Sequence, residues 1–158
     1  MRTKSFPPRT IQPDLKYGSV KVSQLINKAM KSGKKTIAQK QVYQAFEIIK
    51  EKTKRNPIEV YEDVLHKIQP QIEVRTRRVG GASYQVPMPV RSRRASSLAL
   101  RWLVLESNKR PNKEYHSFAE KLAAEMLDVL NEQGGTINRR DTSHKMADAN
   151  KAFAHFRW

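Results

Sequence analysis

The chain is organised around the stretch from Gln71 to Leu105, QIEVRTRRVGGASYQVPMPVRSRRASSLALRWLVL. Two short runs with β-branched or aromatic residues at alternate positions flank Gly80 and Gly81. Consecutive glycines supply the positive φ angles that a tight hairpin turn requires. The stretch therefore predicts a β-hairpin over residues 72–90.

The two glycines also set the register of this hairpin. If they are the turn residues, Val79 lies opposite Ala82 and Arg77 lies opposite Tyr84. Each face of the resulting ribbon mixes apolar with charged side chains, whereas a hairpin packed on a core alternates cleanly between the two. We therefore expect an arm that protrudes from the body of the protein.

Arginine is concentrated on this arm and at the start of the helix that follows it. The residues are Arg75, Arg77, Arg78, Arg91, Arg93 and Arg94. A guanidinium group forms bidentate hydrogen bonds with phosphate and stacks on bases, so arginine suits folded RNA better than lysine does. We interpret this group as a nucleic-acid interface. The basic run at residues 50–55, by contrast, reads as a solvated helix face.

Composition supports a polyanionic partner. The chain has 158 residues, a formal net charge of +16 and an isoelectric point near 10.3, which together favour one domain that binds nucleic acid or an anionic surface. It has no cysteine, so a disulfide or a thiolate metal site is impossible. No apolar run reaches the length of a membrane span, and no secretory signal is visible, so the expected location is a reducing, cytoplasm-like compartment.

The charge is unevenly distributed along the chain. Residues 1–55 carry fourteen Lys or Arg against three Asp or Glu, and residues 71–113 carry ten against two. Residues 114–134 reverse the balance, with one Lys against five acids. We expect one end of the fold to meet the polyanion and the acidic segment to stay solvated.

The fold class predicted from the whole chain is mainly α, a single domain of about six helices with one protruding β-hairpin between helices three and four. Residues 1–18 read as a basic, proline-containing extended arm, and residues 19–158 as the helical RNA-binding domain. The first helix follows Ser19 and ends near Gly33, and the second spans about residues 35–54.

The later helices have clearer boundary signals. Asn56 before Pro57 marks the start of the third helix, and the fourth opens at Ser92 or Pro89. Ser117, three residues before a glutamate, caps the fifth. The last begins near residue 136 or 141.

The apolar stripes of helices two to five predict a core. The apolar surface of the fourth helix is wide enough for this helix to be the central element of that core. The predicted core residues are Ala38, Val42, Ala45, Phe46, Ile49, Tyr61, Val64, Leu65, Ile68, Ala95, Leu98, Ala99, Trp102, Leu103, Leu105, Ala119, Leu122, Ala123, Met126, Leu127 and Leu130.

The sequence lacks the residue patterns of an enzyme. No two of its four histidines have the i, i+4 spacing of a metal-binding helix, and no nucleophile, Walker or dinucleotide motif is present. We predict no catalytic site, no metal and no cofactor. Near the C-terminus, His144 and His155 either contact RNA or, as is commoner for a lone helical histidine, serve as surface or packing residues. Trp158 either packs locally or stacks.

Three strings resemble one known family closely. They are RRVGGASYQVP (residues 77–87), VRSRRASSLALRW (residues 90–102) and the C-terminal MADANKAFAHFRW (residues 146–158). With PDLKYGS (residues 13–19), they make nearly the whole chain similar to the bacterial-type small-subunit ribosomal protein seven family. The resemblance implies a structural, non-enzymatic protein of the small ribosomal subunit in the cytoplasm, with an organellar ribosome as the alternative.

The resemblance also implies specific partners. It implies primary binding to the 3′ major domain of 16S-type ribosomal RNA, nucleation of head assembly, and a place at the subunit interface near the exit-site transfer RNA and the messenger RNA path. Neighbouring contacts with small-subunit proteins nine and eleven are implied as well. The implied ribosomal-RNA contacts are Arg2, Lys4, Arg9, Lys28, Lys34, Lys35, Arg75, Arg77, Arg78, Arg91, Arg93 and Arg94. The implied residues nearest transfer or messenger RNA are Val79, Gly80, Gly81, Ala82, Arg139, Arg140, Lys145 and Lys151.

Two alternatives remain at this stage. A nucleic-acid-modifying enzyme would show turnover on RNA, but the sequence offers no acid-base or metal constellation for it. A helical architectural protein that binds DNA would prefer duplex DNA to folded ribosomal RNA.

Overall fold

The computed structural model of the chain describes residues 10–156, so Arg2, Lys4, Arg9 and Trp158 lie outside the described residues. Its elements confirm the predicted fold class and order. They are α1 (Val20–Ala29), α2 (Lys35–Thr53), α3 (Pro57–Ile68), β1 (Ile72–Val79), β2 (Ala82–Pro89), α4 (Ser92–Lys109), α5 (Phe118–Leu130), α6 (Gly135–Ala149) and a C-terminal 3₁₀ helix (Lys151–Phe156).

The predicted helix caps explain where the helices begin. The Asn56 side chain accepts a hydrogen bond from the Ile58 N–H at 3.2 Å, and Ser117 Oγ accepts one from the Glu120 N–H at 3.2 Å. Each bond satisfies an N–H that the first turn leaves without a helical partner. The last helix begins at the early end of the expected interval, directly after Gly134, whose φ of 97° favours glycine.

The core forms where the helices cross. Helices α3, α4 and α5 each contact four other helices, so α4 shares with α3 and α5 the central position that the sequence predicts for it alone. Most of the predicted apolar stripes are buried, including Val42, Phe46 and Ile49 of α2. On α5 the stripe is shifted slightly, because Val129 is buried while Leu127 and Leu130 are half-buried.

The fourth helix differs from its prediction in which face is buried. Leu105 was assigned to the core, but 37% of its surface is exposed, whereas Leu100, which the stripe omitted, is 3% exposed. Trp102 is half-buried at the edge of the core. Because α4 is apolar over more than half of its circumference, periodicity alone does not identify the face that meets α5.

An acidic residue expected in solvent is instead buried. Glu125 on α5 is 2% exposed; it receives hydrogen bonds from the Thr136 N–H and hydroxyl at 2.9 and 2.6 Å and pairs with Arg110 at 2.7 Å. Arg110 also pairs with Asp128. Burial alone would lower the pKa of Arg110, but hydrogen bonds to these two carboxylates raise it above its usual value. This network joins α5 to the start of α6.

The chain before α1 is attached to α2. Asp14 is buried and accepts hydrogen bonds from the Tyr43 hydroxyl at 2.8 and 2.9 Å, while Tyr17 packs edge-on against Tyr43 and Phe46. Thus the last residues of the segment predicted as an extended arm lie against the helical body.

Candidate nucleic-acid interface

The hairpin has the register that its sequence predicts. Val79 pairs with Ala82 and Arg77 with Tyr84 in an antiparallel ribbon of two strands. The turn glycines have φ angles of 57° and 88°, values that side-chain-bearing residues rarely adopt together. The turn and the two residues of β2 that follow it are exposed, so the tip extends beyond the helices.

Four of the predicted arginines have unpaired, exposed guanidinium groups. Arg77 and Arg78 lie on β1, and Arg91 and Arg93 lie at the start of α4. None of the four forms a salt bridge with any residue in the described part of the chain. Their charge is therefore available to an external anion.

The other two predicted arginines are paired within the fold, although about half of each side chain is exposed. Arg75 and Arg94 each bind Glu73, with nitrogen-to-oxygen distances of 2.6 Å, and Glu73 is 7% exposed. Burial raises the pKa of this carboxyl, but the hydrogen bonds from the two guanidinium groups outweigh it, so the pKa lies below its ordinary value. Glu73 thus fastens the root of the hairpin to α4. The sequence analysis did not identify it; its only signal is a single acid in a basic strand.

The root of the hairpin is also fastened to α6. The Gln71 N–H donates a hydrogen bond to Nε2 of His144 at 3.1 Å, and the Ser143 hydroxyl donates one to the Ile72 carbonyl at 3.5 Å. Of the two roles considered for His144, the structure therefore supports a packing role.

One face of the hairpin is covered by the C-terminal 3₁₀ helix. The Tyr84 ring lies 5.4 Å from the Phe153 ring and 5.1 Å from the Phe156 ring, measured between centroids. Val86, two residues further along β2, is fully buried. The prediction of a hairpin that protrudes from the body is confirmed. Its root and this face are nevertheless covered, because residues distant in sequence supply apolar partners.

Three predicted lysines form a separate group at the turn between α1 and α2. Lys28, Lys34 and Lys35 are exposed and have no salt bridge to the described residues. Lys31 and Lys40, which were not among the predicted contacts, share both properties. The turn therefore presents a second unpaired basic surface.

The predicted contacts on α6 and the 3₁₀ helix fall into two classes. Arg139 pairs with Glu106 at 2.9 Å, and Arg140 pairs with Asp141 at 2.7 Å and donates to the Lys67 carbonyl at 2.7 Å. Lys145 and Lys151 are exposed and carry no salt bridge within residues 10–156. At the hairpin tip, the Val79 side chain is half-buried, and Gly80, Gly81 and Ala82 are exposed.

The described residues contain no group of three or more His, Asp or Glu side chains placed to hold a metal ion. In the same residues, no helix has both the length and the apolar composition needed to cross a bilayer.

Comparison with known proteins identifies the family. A match to the family described as "Ribosomal protein S7p/S5e" covers residues 1–151. Three similar proteins are each named small ribosomal subunit protein uS7: one from Caldanaerobacter subterraneus subsp. tengcongensis (54% identity; 99% of both chains), one from Thermoanaerobacter sp. strain X514 (55%; 95% of this chain, 94% of the relative), and one from Dictyoglomus thermophilum (55%; 96% and 95%).

These findings confirm the resemblance to this family. Because the matching relatives are bacterial, the protein is located on the cytoplasmic ribosome. Membership of this family also means that the protein binds RNA, acts in translation and is not an enzyme. The chain belongs to the ribosomal protein S7p/S5e family and is a structural constituent of the small ribosomal subunit.

Proposed function

We propose that this protein binds the 3′ major domain of small-subunit ribosomal RNA through the hairpin and the start of α4, and that this binding nucleates assembly of the subunit head. The observation that carries the proposal is a set of four exposed arginines, Arg77, Arg78, Arg91 and Arg93, that form no salt bridge within residues 10–156. Arg77 and Arg78 lie on the hairpin, whose root is bonded to α4 through Glu73, and Arg91 and Arg93 lie at the start of α4. The α1–α2 lysines Lys28, Lys34 and Lys35 add a second contact to the phosphate backbone.

Phosphate neutralisation dominates such binding. A protein that makes roughly 6 to 10 phosphate contacts loses about 10³- to 10⁵-fold in affinity between 50 and 200 mM salt. Specificity then comes from the shape of the RNA, because the deep groove of A-form RNA offers little base readout. The outcome of this function is ordered RNA. Arg2, Lys4 and Arg9, from residues 1–18, are proposed to add further contacts to the ribosomal RNA.

The test is binding to a 3′ major domain fragment against a scrambled RNA of equal length, at about 150 to 200 mM salt, where non-specific contacts are weakened. Arg77→Ala/Arg78→Ala is the informative variant. Its matched control is Lys21→Ala/Arg55→Ala, which also removes two cations but takes them from pairs with Glu62 and Asp63.

We expect tight, selective binding that weakens at least tenfold in the hairpin variant and little in the control. Equal affinity of the unmodified protein for both RNAs would refute the proposal. Preference for duplex DNA of the same length would support the architectural alternative instead.

The hairpin tip and the C-terminal elements are proposed to face the exit-site transfer RNA and the messenger RNA path. Exposure of Gly80, Gly81 and Ala82 and of the unpaired Lys145 and Lys151 supports this placement. Arg139 and Arg140 are engaged in internal bonds, so they contribute mainly by holding α6 in place. Small subunits that carry Lys145→Ala/Lys151→Ala should bind exit-site transfer RNA a few-fold more weakly, and unchanged binding would contradict the placement.

Neighbouring contacts with small-subunit proteins nine and eleven belong to the same proposal. Stepwise reconstitution of the head tests them. Incorporation of both proteins should require this protein to be bound first, and incorporation without it would remove them from the set of direct partners.

A further inference from the structure

The hairpin depends on contacts outside its own two strands. An isolated two-stranded ribbon is at best marginally stable in water, because few of its side chains are removed from solvent. Here β1 and β2 pair only with each other among the described strands. Their direction is consequently set by what packs on them, and those partners are α4, α6 and the 3₁₀ helix.

The outermost of these packing contacts is aromatic. Tyr84 packs on Phe153 and Phe156, and the residues of β2 between it and the turn, Ser83 and Ala82, are exposed. Tyr84 pairs directly with Arg77, and facing residues of an antiparallel pair project from the same side of the ribbon. The three rings therefore lie on the side from which Arg77 projects.

We propose that the C-terminal 3₁₀ helix is a positioning element of the RNA interface, and that Tyr84, Phe153 and Phe156 fix the direction of the hairpin so that Arg77 and Arg78 meet RNA already oriented. This inference rests on the proposed function. Fixing a binding element before association raises affinity because less conformational entropy is lost on binding. It also raises selectivity, since a mobile hairpin adapts to many RNA shapes whereas a fixed one fits few.

The packing of the rings favours this role over direct stacking on bases. All three rings are half-buried, and Tyr84 contacts both phenylalanine rings at centroid distances typical of aromatic pairs in folded proteins. An RNA base would have to separate them to stack between them. The cation of the same segment, Lys151, is exposed and takes no part in the cluster.

Two variants break the aromatic contact without removing a cation. Phe153→Ala removes a ring from the 3₁₀ helix, and Tyr84→Val removes one from the hairpin while keeping a strand-favouring residue. Neither residue belongs to the buried core, so the helical body should stay folded in both. Two controls complete the set: Tyr84→Phe keeps the ring, and Lys151→Ala removes a charge from the same segment.

The first readout is amide hydrogen exchange of the free protein, which does not depend on RNA. Exchange should accelerate about tenfold across residues 72–89 in Phe153→Ala and Tyr84→Val, as expected for the loss of a favourable aromatic pair, and stay unchanged in α2 and α5. Tyr84→Phe and Lys151→Ala should exchange as the unmodified protein does. Unchanged exchange in the hairpin of both variants would overturn the proposal, whatever the RNA does.

The second readout is affinity for the 3′ major domain fragment and for scrambled RNA. We expect the cognate affinity of Phe153→Ala and Tyr84→Val to fall about tenfold while the scrambled RNA binds as before. Lys151→Ala should instead weaken both RNAs alike. Faster hairpin exchange with unaltered cognate affinity would overturn the positioning role. If the unmodified protein shows no selectivity at all, the proposed function fails, and the exchange experiment still decides whether the 3₁₀ helix orients the hairpin.

Discussion

The hairpin end and the α5–α6 end of this protein use charge in opposite ways. At the α5–α6 end, Glu125 is buried and its oxygens are occupied by Arg110 and Thr136. At the hairpin end, Arg77 and Arg78 are exposed and have no acid beside them within the described residues. The charges of the first arrangement stabilise the fold by pairing with each other, and the charges of the second remain available to another molecule.

This difference shows that the net charge of a strongly basic chain does not by itself indicate how many of its cations are available to a partner. The net charge of +16 is not spread as a uniform coat, since a subset of cations is already neutralised by internal acids. Only the unpaired subset is able to bind phosphate without first losing a salt bridge. The four changes that follow therefore separate stability from RNA binding, beginning with the most strongly paired charge.

Replacement of Glu125 by Ala should have the largest effect on stability. It leaves the partly buried Arg110 with only Asp128 as a carboxylate partner among the described residues, and it leaves two Thr136 donors unsatisfied. Removing one member of a buried pair typically costs about 3 to 5 kcal/mol. Urea unfolding measures this loss, and Glu132→Ala, at a residue whose side chain is 72% exposed, is the matched control. A loss below about 1 kcal/mol would show that this network contributes no more to the free energy of unfolding than an exposed salt bridge does.

Glu73→Gln should have an intermediate effect. The carboxylate binds two arginines, but both are about half exposed and are rehydrated when it is lost, so we expect roughly 1 to 3 kcal/mol. The pKa of Glu73 lies below its ordinary value, so its contribution to stability is complete above pH 4.5 and disappears as the pH falls through the lowered pKa.

Urea unfolding of both proteins between about pH 6 and pH 3 tests that dependence on acid. The free energy of unfolding should fall less steeply below pH 4.5 in Glu73→Gln than in the unmodified protein. Parallel curves would mean that the carboxyl has the same proton affinity in the folded and unfolded chains.

Arg139→Ala tests a residue between the two classes. Its bond to Glu106 is internal, but 43% of its side chain is exposed, and exposed pairs contribute only about 0 to 1 kcal/mol. We expect a loss of this size in urea unfolding and little change in RNA affinity. A large loss of RNA affinity with unaltered stability would move Arg139 into the RNA-binding group.

Arg77→Ala/Arg78→Ala should change stability least, by no more than about 0.5 kcal/mol, because both residues are exposed and neither forms a salt bridge to residues 10–156. The same variant should lower the slope of log affinity against log salt by about two, one for each lost phosphate contact. Titrations of ribosomal RNA at several salt concentrations measure it. An unaltered slope would show that the hairpin does not contact phosphate.

The sequence predicts those elements whose cause is local. Gly80 and Gly81 determine both the turn and the register of the hairpin, and Ser117 determines where α5 begins. Family-specific strings supply the functional setting. These features hold in the structure because each depends on neighbours within a few residues.

The features that were missed depend on distant partners. Glu73 binds Arg94 across 21 positions, and Glu125 binds Arg110 across 15, so neither buried acid has a local signature. The covering of Tyr84 by Phe153 is still more remote in sequence. Hydrophobic periodicity identifies an apolar face but not the element that packs on it. The sequence therefore does not show what covers the hairpin, and it places Leu105 in the core.

The attachment of the hairpin to α6 and the 3₁₀ helix also constrains the order of biosynthesis. β2 ends at Pro89 and its α4 partner Arg94 follows at once, but the contacts from α6 and the 3₁₀ helix begin at Ser143, so more than 50 further residues must be added before the hairpin meets them. Translation at about 5 to 20 residues per second makes that delay roughly 3 to 11 seconds. During this interval the nascent chain already carries Arg77 and Arg78 but lacks the helix that directs them. Synthesis of residues 143–156 therefore completes the contacts that orient the hairpin, and a chain that stops before them lacks those contacts.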